Sequence, residues 1–133
     1  MAEETLVKEA LTDEMIEAGK TVVENLDRRR FLIDAALWFY LTDQNQWRLL
    51  LASPEVHLEG PRKAYKRLLE ALRNAAVHGV SLQDVAVIDT RDPLIQMLRV
   101  ALRTDRPVNG IRFSRNTVNG QFIEDAYIYR MAA

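Results

Sequence analysis

Ile33 to Ser53, IDAALWFYLTDQNQWRLLLAS, decides the fold: two apolar runs flank a short polar break at Asp43 to Gln46. Both runs are rich in aliphatic and aromatic residues, and Asp-Gln-Asn-Gln between them supplies turn formers, so the stretch reads as an antiparallel hairpin. The rival is a helix over Ile33 to Leu41, but its apolar residues would cover every side. A symmetric turn centred on Gln44-Asn45 sets Trp38 opposite Leu51, Tyr40 opposite Leu49 and Thr42 opposite Trp47. One face then carries these residues. The other carries Ala35, Leu37, Phe39 and Leu41 with Arg48, Leu50 and Ala52. With both faces apolar, the hairpin requires cover on both sides, from helices or from a partner subunit.

Upstream, Met15, Ala18, Val22 and Leu26 recur at helical spacing, widened by Ile16, Gly19 and Val23, which predicts a helix from Thr12 to Arg29. Leu6, Val7 and Ala10 would allow an earlier start; otherwise residues 1–11 form an N-terminal extension. Asp13, Glu14 and Glu17 at one end and Arg28 to Arg30 at the other suit the helix dipole.

Downstream, Ser53-Pro54 stops the second strand. Pro61 opens a helix with Tyr65, Leu68, Leu69, Leu72, Ala75 and Ala76 as its apolar stripe and Gly79 as its stop. Asp84 to Thr90, DVAVIDT, reads as a buried strand. Asp92-Pro93 caps a helix to about Arg103, and Thr104 to Gly110 is a loop. Asn119-Gly120 marks a tight hairpin pairing Arg115 with Glu124, Phe113 with Ala126, Arg112 with Tyr127 and Ile111 with Ile128. Ile111, Phe113, Phe122, Ala126 and Ile128 share one of its faces. The face of Arg112, Ser114, Asp125, Tyr127 and Tyr129 is expected to be the wetter one.

The result is an α+β chain, α-β-β-α-β-α-β-β. Its five-stranded mixed sheet packs with three helices in a single domain over residues 1–133, and its two strand–helix–strand links are read as right-handed crossovers. Composition agrees: 48% hydrophobic and 28% charged residues are ordinary for a globular domain. With no cysteine, disulfides and thiolate chemistry are excluded. The acidic start lacks the pattern of a signal peptide, and no apolar run approaches the roughly 20 residues that span a bilayer. The expectation is a cytoplasmic protein with no membrane partner.

The net charge of −1 hides an asymmetry. Residues 1–27 hold 2 basic and 8 acidic side chains, against 16 basic and 11 acidic in the remainder.

Phosphate-loop, GxGxxG, GxSxG and HExxH patterns are absent, and His57 and His78 lack ligand spacing. The hairpin register sets Asp34 opposite Glu55, and the third strand ends at Asp89. Parallel strands bind ligands beyond their carboxyl ends. Asp34, Glu55 and Asp89, with Arg91 or His57 nearby, are therefore the candidate catalytic and metal-ligating residues, able to hold Mg²⁺ or Mn²⁺ for phosphodiester chemistry. Neutralisation by Arg29, Arg30 or Arg91 is the alternative, and the leading reading has no cofactor. Arg62, Lys63, Lys66, Arg67 and Arg91 are candidate anion contacts. Joined by Arg112, Tyr127, Tyr129 and Arg130, the basic helix face could hold a nucleic-acid strand, a reading the slightly acidic chain disfavours. Trp38, Tyr40 and Trp47 are the candidate interface. The leading expectation is a non-enzymatic protein that works by association, first as a homodimer.

Overall fold

The computed structural model describes residues 7–74 and 80–133. The central hairpin forms as expected, β1 (Ala35–Leu41) against β2 (Gln46–Ala52). Its register differs from the expected one by two residues: Trp38 faces Leu49, and Tyr40 faces Trp47. Thr42 to Gln44 make a tight helical turn, and Asn45 closes the loop in the left-handed region at φ 47°. Leu41 and Gln46 are thus the closing pair of a four-residue loop. A slip of two preserves the alternation of faces, so both apolar faces survive while the partners across the ladder change.

The sheet runs β3-β2-β1-β5-β4, with β3 at Val85–Ile88, β4 at Ile111–Val118 and β5 at Gln121–Met131. Only β2 and β3 are parallel among the neighbouring pairs. The β2-to-β3 link is therefore a strand–helix–strand crossover between parallel strands. The β3-to-β4 link is not, because β4 lies at the far edge and runs opposite to β3. That corrects the expectation of two crossovers.

The first helix, α1 (Asp13–Arg28), starts at Thr12, whose hydroxyl accepts from the Met15 amide, and residues 7–12 are not helical. Its C-terminus closes with the Phe31 amide donating to Leu26 O and the Arg30 amide to Asp27 O, while Arg30 sits at φ 58°. This double closure satisfies carbonyls that would otherwise be orphaned, and Phe31 and Leu26 are both buried beside it.

After β2 comes a helix not foreseen in the sequence, the five-residue α2 (Glu55–Glu59), before α3 (Pro61–Asn74). The buried stripe of α3 is Ala64, Leu68 and Ala71; Tyr65 is exposed. Ala75, Ala76, His78 and Gly79 lie outside the described residues. The last helix, α4 (Pro93–Ala101), is capped by the Asp92 carboxylate accepting from Leu94 N.

Two cores result. On one face α1 and α3 pack over Trp38, Tyr40, Trp47, Leu49 and Leu51. On the other, α4 packs over Ala35, Leu37, Leu50, Ala126 and Ile128. Two helices cover one side and one short helix covers the other.

The second hairpin keeps its expected register at Ile111–Ile128, Arg112–Tyr127 and Phe113–Ala126, but the ladder skips the expected Arg115–Glu124 pair. Asn119 and Gly120 both adopt positive φ, as its turn requires. Arg115, at φ 49°, interrupts the alternation, so Ile123 enters the core and Phe122 is exposed. The face expected to be wet is buried at Asp125 and Tyr129, because α1 and the segment before it lie across it.

Candidate functional site

The carboxyl ends of β2 and β3 are where chemistry was expected, and the topology favours the place. The chain leaves β2 toward α2 and α3 on one face, and leaves β3 toward α4 on the other. Such a divergence between parallel neighbours opens a crevice.

In this protein the crevice is filled by ion pairs. Glu55 Oε1 accepts from Arg67 Nη1 at 2.6 Å, and the same nitrogen lies 3.3 Å from Glu59 Oε2. Asp89 accepts from the Arg91 amide at 3.0 Å and from Arg91 Nη2 at 3.1 Å, and its Oδ1 lies 2.9 Å from His57 Nδ1. Burial raises the Asp89 carboxyl, but the hydrogen bonds from Arg91 and His57 outweigh it and hold the group well below the usual carboxylate range. The Arg67 guanidinium also lies 5.0 Å from the centroid of the Phe31 ring.

Asp34 stands apart from both. With the observed register its strand neighbour is the end of β2, where its amide donates to Ala52 O. Its carboxylate accepts from Arg106 Nη1 at 3.1 Å. Next to it the buried Arg130 grips both oxygens of Asp27 at 3.0 and 2.7 Å and donates to Ile33 O. The three candidate carboxylates are thus each answered by a different arginine. Among the described residues no three His, Asp or Glu side chains gather in a way that could hold a metal ion. The arrangement ties loops to the sheet end.

The other candidates separate too. Arg62, Lys63 and Lys66 are exposed on α3, whereas Arg67 and Arg91 are committed to carboxylates. Trp38, Tyr40 and Trp47 are 0%, 6% and 3% exposed, so the aromatic face expected to meet a partner is consumed inside the chain. Trp38 Nε1 donates to Tyr129 Oη at 3.0 Å and to Met15 O at 3.2 Å, and Tyr129 Oη donates to Ile16 O at 2.6 Å. Two sheet aromatics thereby dock α1 by its backbone.

No family model, curated protein or solved structure matches the chain.

Two further surfaces emerge from the fold, both touching the candidate interface residue Tyr40. β1 and β5 pair only as far as Phe39 and Ala126, and beyond that point they part. Phe39, Tyr40, Leu41, Phe122 and Glu124, with the loop residues Thr42 to Gln44, line the groove at this gap, with Phe122 60% exposed. The second surface is where the segment before α1 crosses the sheet. There Lys8 Nζ donates to Asp125 Oδ2 at 2.8 Å and lies 4.8 Å from the centroid of the Tyr40 ring. Neither surface has a local sequence signal: each joins residues from distant strands.

Proposed function

We propose that the protein is a non-enzymatic association module, cytoplasmic as its sequence suggests, and that its first partner is a second copy of itself. The observation that carries this reading is the groove of Phe39, Leu41 and Phe122, where the described residues leave Phe122 60% exposed. Exposed aromatic surface bordered by polar groups is characteristic of interfaces. The phenylalanines of the groove are bordered by polar side chains, Thr42, Asp43, Gln44 and Glu124. A two-fold contact would set this one patch against itself. The β4 edge supports it less well, since Arg115 and its irregular backbone break the row of free amides that edge pairing needs.

Light scattering on the wild type and on Phe122→Asp tests the proposal. The wild type is expected to show twice the chain mass at tens of micromolar, largely independent of salt, and Phe122→Asp the mass of one chain with native circular dichroism and an unfolding midpoint that no longer depends on concentration. A wild type that stays at one chain mass up to millimolar concentration, or a dimer indifferent to Phe122→Asp, would overturn it.

A further inference from the structure

We propose that Tyr40, Asn45, Trp47 and Asp125 form a binding site for an extended peptide carrying an unmodified lysine, and that residues 7–9 of the chain occupy it in cis. The lysine is read in three ways. Its ammonium donates to Asp125 Oδ2 at 2.8 Å, lies 3.7 Å from Glu124 Oε1, and sits 4.8 and 5.7 Å from the Tyr40 and Trp47 ring centroids. The two rings meet at 54° with their centroids 5.3 Å apart, presenting a concave aromatic surface to a cation. The direct bond to Asp125 requires an N–H on the cation, which a trimethylated lysine lacks.

The backbone on either side of the lysine is read as well. The Asn45 amide brackets it, its Nδ2 donating to Val7 O at 3.0 Å and its Oδ1 accepting from Glu9 N at 2.8 Å. Trp47 Nε1 donates to Glu9 O at 2.7 Å. Asn45 is aimed by its left-handed backbone and by Tyr40 Oη, which donates to its Oδ1 at 2.6 Å.

Within residues 7–9, the lysine side chain and the main chain are what the site holds. Val7 is 81% exposed and Glu9 is exposed, so their side chains carry no part of the recognition. The next large apolar side chain of the segment, Leu11, is half-buried against the core, but the apolar neighbour Val7 faces water while the peptide groups and the cation are bound. That is the recognition pattern of a short motif that other chains can present, with main-chain hydrogen bonds for affinity and one pocket for specificity. The partner is therefore a protein with a lysine in an extended, accessible segment. The chain's own segment competes as an intramolecular ligand at an effective concentration of order millimolar. This site adjoins the dimer groove, which Tyr40 and Glu124 also line, but its hydrogen bonds come from Asn45, Trp47 and Asp125, which do not line it.

The test uses the full-length chain, wild type and Lys8→Ala, titrated with a synthetic peptide of residues 5–12, TLVKEALT, and followed by tryptophan fluorescence. Lys8→Ala is expected to bind the peptide about tenfold or more tighter than the wild type, because the competing lysine is gone. The same peptide with acetyl-lysine is expected not to bind. Adding Asn45→Gly, which keeps the left-handed turn but removes the amide, is expected to abolish binding. Should Lys8→Ala lose its near-ultraviolet dichroism, Lys8→Met, which retains the aliphatic stem, takes its place. Equal affinity for wild type and variant, or equal affinity for lysine and acetyl-lysine peptides, would overturn the proposal. A Phe122→Asp chain that still binds after Lys8→Ala would separate this site from the proposed self-association.

Discussion

At Gly19 the middle of α1 lies directly against the sheet. A Cβ built there would fall 2.7 Å from Trp38 Nε1 and closer still to Tyr129 Oη. Those two atoms carry the hydrogen bonds that dock the helix through the carbonyls of Met15 and Ile16. Alanine would gain about 1 kcal/mol of helix propensity over glycine, but both rings are fully enclosed and cannot yield. Overpacking a filled core costs about 1–3 kcal/mol, and here it also breaks two buried hydrogen bonds, each worth about 1 kcal/mol. Gly19→Ala is expected to lower stability by roughly 2 kcal/mol net, read from urea unfolding; an unchanged or raised midpoint would show that the helix can shift away from the sheet. Burial also pushes the Tyr129 phenol up, and its hydroxyl donates to Ile16 O. The spacing of α1 placed Gly19 on the apolar stripe, but the need for the smallest residue there comes from two rings 19 and 110 positions later. Periodicity along one helix cannot contain that.

Elements were legible where local chemistry determines them. Thr12 and Asp92 begin helices because their side chains satisfy free amides, and Asn119-Gly120 sets a register because a two-residue turn leaves no slack. The first hairpin departs by two residues from the symmetric register for the same kind of reason. Asp43 to Gln46 holds several turn formers, and the left-handed residue chosen was Asn45 at the end of a four-residue loop rather than a symmetric pair. On α3 the buried stripe runs through Ala64, Leu68 and Ala71 and Tyr65 faces out, so two small alanines join Leu68 in the core. Arg30 shows how a missed signal can be put to use. It occupies, at φ 58°, the left-handed position that closes α1, where glycine is ordinarily favoured. Arg30 is also exposed. Arg30→Gly should therefore relieve steric strain that exceeds the added freedom of the unfolded chain, raising stability by about 0.5–1 kcal/mol. A lowered melting temperature would mean that the arginine side chain holds something the backbone geometry does not reveal.

Across the whole molecule, charge serves to bind the chain's separate parts together. Arg106 reaches Asp34 from 72 residues away, Arg130 reaches Asp27 across 103, and Lys8 reaches Asp125 across 117. These pairings explain why the proposed metal cluster looked plausible in sequence: a strand register can juxtapose acids, but it does not show which distant loop will bring the base. They also make stability depend on acid in a defined direction. At Asp125 burial raises the carboxyl, yet the bonds from Arg112, Lys8 and Ser114 prevail and hold it well below its usual range; Asp89 is lowered as well. A carboxylate with a depressed folded pKa contributes stability that is complete above the unfolded value, about 3.9, and is lost as pH falls through the folded value. The chain should therefore hold a nearly constant urea midpoint from pH 7 to about 5 and lose stability steadily below about 4. Asp125→Asn should be less stable at neutral pH and show a shallower acid limb, because one of the protons taken up on unfolding is no longer available to drive it. Parallel acid limbs for variant and wild type would mean that the carboxylate under Lys8 is not held in its charged form, and the pocket would then have no fixed charge with which to select a cation.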